Sequence, residues 1–272
     1  MDVASRLPRL RSGLTDQGIN ALLVTSLTNI RYLTGFTGSA AMLLVTNDDS
    51  LFVTDGRYKF QCDEQLRAAG VDSAIVVGGG EEQKNALVAK ASGVKKLGVE
   101  AAHLFWSQQH KYASSWFNSE LVPTEGVVEE LRKVKDAGEV ARIERAAHIA
   151  DEALEQTKSL FLDGISEEEF GFALDTEIRR LTTDGTSFET IVASGPNGAK
   201  AHHQPSDRRI SHGELIVLEC FLQVFPIVIL HLNTVKQETS FVYWVYDAAH
   251  QNTWRHIQFP LFVALLIHPL FP

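Results

Sequence analysis

AAMLLVTNDDSLFVT, residues 40–54, reads as two short apolar runs, 40–46 and 51–54, on either side of the polar cluster NDDS. Strand-length runs of aliphatic and β-branched residues around such a turn cluster predict a β-hairpin. Outward from it, residues 21–25, 74–77 and 97–99 are runs of the same kind, each bounded by turn residues. Helical patterns lie between them. Residues 5–20 place Leu7, Leu10, Leu14 and Gln17 near one face and end at Gly18; 57–69 and 81–92 follow. Strands alternating with helices predict an α/β domain over residues 1–125.

Residues 126–135 read as a linker to a second domain, 136–220. Asp136 followed by Glu139 is a variant of the capping box, and the helix it opens carries Val140, Ile143, Ala147, Ala150 and Leu154 on one face. Ser166 with Glu169 is a second capping box, opening a helix with Phe170, Leu174, Ile178 and Leu181. Gly185 breaks that pattern, and 188–193 and 215–219 then read as strands. Two helices leading into a sheet suggest an α+β unit, and no repeat of solenoid period is visible.

The chain has 272 residues, 44% hydrophobic and 22% charged, so it has material for a sizeable core. Its 25 Lys+Arg against 34 Asp+Glu give a net charge of −9, which argues against binding a phosphate backbone. No nucleic-acid partner is expected. Two cysteines, Cys62 and Cys220, make no disulfide framework. Reduced thiols and an opening MDVASRLPRL without an apolar signal core point to the cytoplasm.

Composition breaks near residue 221. Only four of the 59 charged residues (Lys236, Glu238, Asp247 and Arg255) lie beyond residue 220, and no glycine follows Gly213. The run 259–272, FPLFVALLIHPLFP, is apolar but shorter than the ~20 residues a membrane helix needs. Its prolines also oppose a regular helix, so a buried or aggregating end is expected rather than a membrane anchor.

Three places could carry chemistry. TDGRY, residues 54–58, ends a strand: it is either a turn with Gly56 in a special backbone conformation, or a polar rim where Arg57 and Tyr58 meet a ligand or neighbouring subunit. SGPNGAKAHHQP, residues 194–205, is a loop carrying His202 and His203. Adjacent side chains on an extended segment point oppositely, so one histidine at most faces a pocket. LIVLE, residues 215–219, closes an apolar strand with Glu219, either a solvated strand end or a carboxylate ligand for a hard divalent ion.

Three longer segments together resemble one family. TSLTNIRYLTGFTGSAAMLLVTNDDSLFVTDGRY (25–58) is similar to the N-terminal, creatinase-like domain of Xaa-Pro peptidases, the proline-specific aminopeptidases and dipeptidases. KDAGEVARIERAAHIADEAL (135–154) and SFETIVASGPNGAKAHHQPSDRRISHGELIVLE (187–219) resemble the opening of their "pita-bread" catalytic domain. The resemblance implies an α/β N-terminal domain, then the first half of an α+β pita-bread domain. It also implies hydrolysis of the bond before proline in proline-containing peptides, often by a homodimer. Two divalent ions, manganese or cobalt-like, would be held by two Asp, one His and two Glu.

Carried over by position, His202 matches the family's substrate-facing histidine, with Ala201 where proline is usual. Glu219 stands where the first metal-binding Asp is expected, its carboxylate displaced by about 1.5 Å, one carbon–carbon bond. The second Asp, the distal His and both Glu find no counterparts; His231, His250, His256, His268 and Glu238 lack the family's surroundings. A chain so reduced is expected not to retain the two metal ions, and its catalysis to be impaired or absent. The alternative is a non-catalytic relative acting as a binding or dimerisation module.

The tail, 221–272, matches nothing in the family and suggests either a shifted reading frame near codons 220–226 or a truncation with a new end. Residues 227–231, IVILH, can be encoded so that another frame spells Ser-Asp-Ile-Thr, the kind of sequence that carries the second metal-binding Asp.

Overall fold

A computed structural model describes residues 1–182, 189–200, 202–224, 227–236 and 245–247. The chain divides into two compact units, Met1–Gly138 and Glu139–Pro272.

The first unit is built on a mixed sheet of six strands. In chain order the elements are α1 (Arg6–Gly13), β1 (Ala21–Val24), α2 (Leu27–Thr34), β2 (Ala41–Thr46), β3 (Ser50–Thr54), α3 (Lys59–Ala68), β4 (Ala74–Val77), α4 (Gly80–Lys90), β5 (Lys96–Glu100), α5 (Trp106–Lys111), β6 (Glu120–Thr124) and α6 (Val127–Lys133). The strand order is β4-β3-β2-β1-β5-β6. The expected hairpin is present: β2 and β3 pair antiparallel, Leu43 opposite Phe52 and Leu44 opposite Leu51. In its turn the Thr46 hydroxyl donates to the Asp49 carboxylate at 2.6 Å and accepts from the Asp49 N–H.

Central strands are covered on both faces, so they read as continuous apolar runs rather than alternations. Leu22 and Val24 of β1 join Leu43, Val45 and Phe52 in a core sealed by Leu7, Leu10 and Leu14, Ile30 and Leu33 of α2, Leu66 of α3 and Val128 of α6. Ala21 and Leu23 face the opposite core, with Leu44, Val53, Leu97, Leu87 of α4 and Tyr112.

Several expectations shift. The helix expected over 5–20 stops at Gly13; Leu14 is still buried, but Gln17 is exposed and Gly18 turns the chain at φ 69°. Helix α2 lies in a stretch without a readable pattern, because two turns are too short for periodicity to show; Gly35 at φ 76° ends it. Strand β6 carries Pro123 and is tolerated because it lies at the sheet edge. Helix α6 occupies most of the expected linker 126–135, and burial of Val128 ties it to the first core.

The second unit comprises α7 (Ala137–Thr157), α8 (Glu167–Leu181), β7 (Ile191–Ser194), β8 (Leu215–Val224), β9 (Ile227–Lys236) and β10 (Val245–Asp247), with the sheet ordered β10-β9-β8-β7. On α7, Ile143, Ala147, Ala150 and Leu154 are buried as expected, whereas Val140 in the first turn is exposed. The Ser166–Glu169 capping box forms in both directions at 3.0 and 3.2 Å. Phe170, Leu174 and Ile178 pack against Ile216 and Leu218 of β8, and Phe161 stacks on Phe170 with ring centroids 4.0 Å apart. Leu181 is only partly buried, and Gly185 lies outside the described residues. Strand β8 runs unbroken to Val224, across the compositional break expected at 220–221. Most of the tail from 237 onward, with His250, His256 and His268, lies outside the described residues. Among the described residues, no helix is long and apolar enough to cross a membrane.

Candidate functional site

In the first unit, Arg57 and Tyr58 sit where β3 gives way to a 3-10 turn, Gly56–Tyr58, leading into α3. Gly56 is not among the glycines with positive φ, so the expected special backbone conformation is absent. The turn is set instead by Asp55, whose carboxylate accepts the Arg57 N–H at 3.0 Å and grips the guanidinium at 3.0 and 2.7 Å. Tyr58 rests edge-on against Phe36, and its hydroxyl accepts the Ser39 N–H at 3.1 Å and pairs with the Ser39 hydroxyl at 2.6 Å. Arg57 therefore projects a charge to solvent while Tyr58 is tied to the loop before β2.

In the second unit, β7 and β8 pair antiparallel and Ile191 stands opposite Glu219. Along β8, Ile216, Leu218 and Cys220 are buried, and Leu215, Val217 and Glu219 alternate to the other face. Glu219 is half-buried. That burial pushes its carboxyl above the usual carboxylate value, and the nearby charge of His202 pulls in the opposite direction. His202 and Glu219, seventeen residues apart, are thus within electrostatic reach. His202 itself is exposed in a turn.

His203 takes the other side. Its side chain is only 9% exposed, and Nε2 lies 2.8 Å from the Glu167 carboxylate. Glu167, the first residue of α8, is fully buried and accepts further bonds from the Ser194 N–H and hydroxyl, the Asn197 amide, and the Ser206 N–H and hydroxyl. Burial works against its charge, but the bonds from Ser206, Ser194, His203 and Asn197 outweigh it and hold the carboxyl well below the usual range. Arg208 extends the cluster, donating to the Ser194 hydroxyl at 2.6 Å and pairing with Glu214. The sequence offered no signal for Glu167: a glutamate after a helix cap ordinarily faces water, and its partners other than His203 are small polar residues typical of any loop.

Cys62 and Cys220 are both unbridged and buried. Burial, reinforced by the charges of Asp175 and Asp151, pushes the Cys220 thiol up to about 12. Neither cysteine is a thiolate at neutral pH.

The metal set implied by the resemblance can be tested against these donors. Among the described residues, no three His, Cys, Asp or Glu side chains converge so as to hold an ion. Glu219 is a single carboxylate with a histidine nearby, and two-ion coordination does not fit that set.

Comparison with known proteins adds the following. Residues 6–134 match the Creatinase/Prolidase N-terminal domain, and residues 141–226 match metallopeptidase family M24, a few residues past the expected boundary at 220. An uncharacterised peptidase of Bacillus subtilis, YqhT, is 36% identical over 214 residues, covering 79% of this chain and 60% of the relative. A solved Xaa-Pro dipeptidase from Bacillus anthracis superposes with a TM-score of 0.75 at 31% identity, over 85% of this chain and 64% of that one. An X-Pro aminopeptidase from Thermotoga maritima superposes with a TM-score of 0.74 at 25% identity, over 84% of this chain and 64% of that one. The chain thus spans about three fifths of the length of the curated relatives it matches.

Proposed function

The chain joins a creatinase/prolidase N-terminal domain to a segment of the M24 metallopeptidase family, and from that premise we propose that it belongs to the hydrolysis of the bond before proline in small peptides. What supports the proposal is that His202 and Glu219 fall on the loop and strand where the resemblance puts a substrate-facing histidine and a first metal-binding carboxylate, the strand pairing with β7 at Ile191, and that the charge of His202 acts on the half-buried Glu219 carboxyl. In this reading the His202 ring donates a hydrogen bond to the substrate carbonyl, or to the oxyanion that forms from it. In the N-terminal unit, Arg57 and Tyr58 form a polar rim for a ligand or a neighbouring subunit. Cleavage in the family's manner needs a ligand set that the described residues do not complete, so the 272-residue chain taken alone is expected to bind without turning over. Reduced, buried thiols support a cytoplasmic setting.

Incubating the purified chain with an Xaa-Pro dipeptide and Mn²⁺ tests this. The expected result is no release of proline above the blank; chelator-sensitive turnover would overturn the expected loss of catalysis and support the hydrolytic reading itself. Binding is read separately: the dipeptide is expected to shift the His202 ring signal in an NMR titration.

A second reading, a binding or dimerisation module, draws on large aromatics exposed at separate places in the first unit. Phe60 on α3 is 82% exposed, and Phe105 and Trp106 at the start of α5 are 74% and 81% exposed, the residue types that interfaces bury. Sedimentation of the full chain decides it. A dimer that Phe60→Ser with Trp106→Ser dissociates supports the module; a monomer at every concentration removes it.

A further inference from the structure

We propose that Glu167 is a positioning residue for His202, acting through the loop that carries it; the proposal rests on the reading of His202 as substrate-facing. Six donors from four residues converge on this one carboxylate. They bracket the loop. Ser194 ends β7, Asn197 sits in the 3-10 turn that follows, and His203 and Ser206 flank the return of the chain. A carboxylate has about four lone-pair positions, so six donors fill it and leave the loop little freedom around it.

The first turn of α8 adds a backbone clamp. Its N–H groups at Glu167 and Glu168 donate to the carbonyls of Arg208 and Ser206, both at 3.1 Å, and the Ile210 N–H returns to the Ile165 carbonyl at 3.0 Å. These are helix N–H groups with no partner inside the helix, satisfied here by the end of the histidine loop. Negative charge at a helix N-terminus is also favoured by the helix dipole. Glu167 is thus held charged, and a charged carboxylate only accepts hydrogen bonds. The Nε2 of His203 must therefore carry a proton and donate it at 2.8 Å.

That bond divides the histidine pair. His203 is drawn inward to Glu167, and the adjacent His202 is left exposed, within electrostatic reach of Glu219. Neither half of the arrangement belongs to His202 itself. It is exposed and makes no hydrogen bond of its own among the described residues, so its placement comes from the anchored neighbour.

Glu167→Gln keeps the shape but replaces one acceptor oxygen with an NH₂ that faces donors. Hydrogen exchange and ring NMR of the full chain would read the result. Exchange of the Ser194 and Ser206 amides is expected to accelerate by about 10- to 100-fold, and the His202 ring signal to move to its unstructured position. Amides of α7 should remain protected. A His202 signal unchanged in the variant overturns the proposal, whether or not the loop amides exchange faster. Should Glu167→Gln fail to fold, Ser206→Ala removes a single hydroxyl, and the same two signals decide, with smaller displacements expected. The dipeptide titration separates the two claims: a native His202 signal that moves with Glu167→Gln but not with peptide would sink the substrate-facing role and leave the positioning role standing.

Discussion

Arg6→Ala is expected to destabilise the N-terminal unit by about 3–5 kcal/mol, the cost of breaking a buried ion pair from one side. The Arg6 side chain is only 2% exposed and pairs with Asp136 at 2.8 Å. It also donates to the Tyr32 carbonyl at 2.8 Å, and its guanidinium lies 4.1 Å over the Tyr32 ring. One side chain therefore joins α1, α2 and the residue just before α7, three places far apart in sequence. Truncation removes the charge, the donors and the stacked plane together, and the alanine cannot fill the space. For a unit of this size the melting temperature should fall by about 10–20 °C. Arg6→Lys keeps the charge but not the planar fork and should recover only part of the loss. Calorimetry of the full chain checks both variants. A loss below about 1 kcal/mol would show that water screens the pair as it does at a surface.

The second unit is expected to lose stability in acid, chiefly through Glu167. Its folded pKa lies below its unfolded value, so folding favours the charged form. The contribution is complete above the unfolded carboxyl value of about 4.3 and fades as pH falls from there toward the folded value. Protonation would convert one acceptor oxygen to a donor amid six groups that all donate. Urea midpoints followed between neutral pH and pH 3 should decline steeply below about 4.5, with β7 and α8 opening together. In Glu167→Gln, already weakened at neutral pH, that acid limb should flatten. An unchanged limb in the variant would assign the acid sensitivity to other carboxylates.

Local chemistry and periodicity were enough to read the hairpin of β2 and β3, strand β4, the apolar face of α1 and the capping box of α8. In each, the deciding forces act within a few residues: a turn cluster between apolar runs, a Ser and a Glu three apart. His202 and Glu219 were also legible as candidates, through a resemblance carried by a loop and a strand end. Their nearness was not legible, because it depends on β7 pairing with β8.

Glu167 marks the other limit. In the sequence it is one of three glutamates in a first helical turn, EEE at 167–169, which any amphipathic helix could carry. Glu169 closes the capping box, as its spacing predicts, while Glu167 becomes the buried centre of a loop that ends 39 residues later. No local rule separates them. Burying a carboxylate is unfavourable until donors surround it, and those donors come from distant segments that meet only when β7, the loop and α8 pack together. Sequence alone therefore determined those elements whose apolar pattern or turn chemistry is long enough to read, and the candidate pair. Tertiary packing decided which carboxylate is held charged in the interior and which histidine is left to face outward.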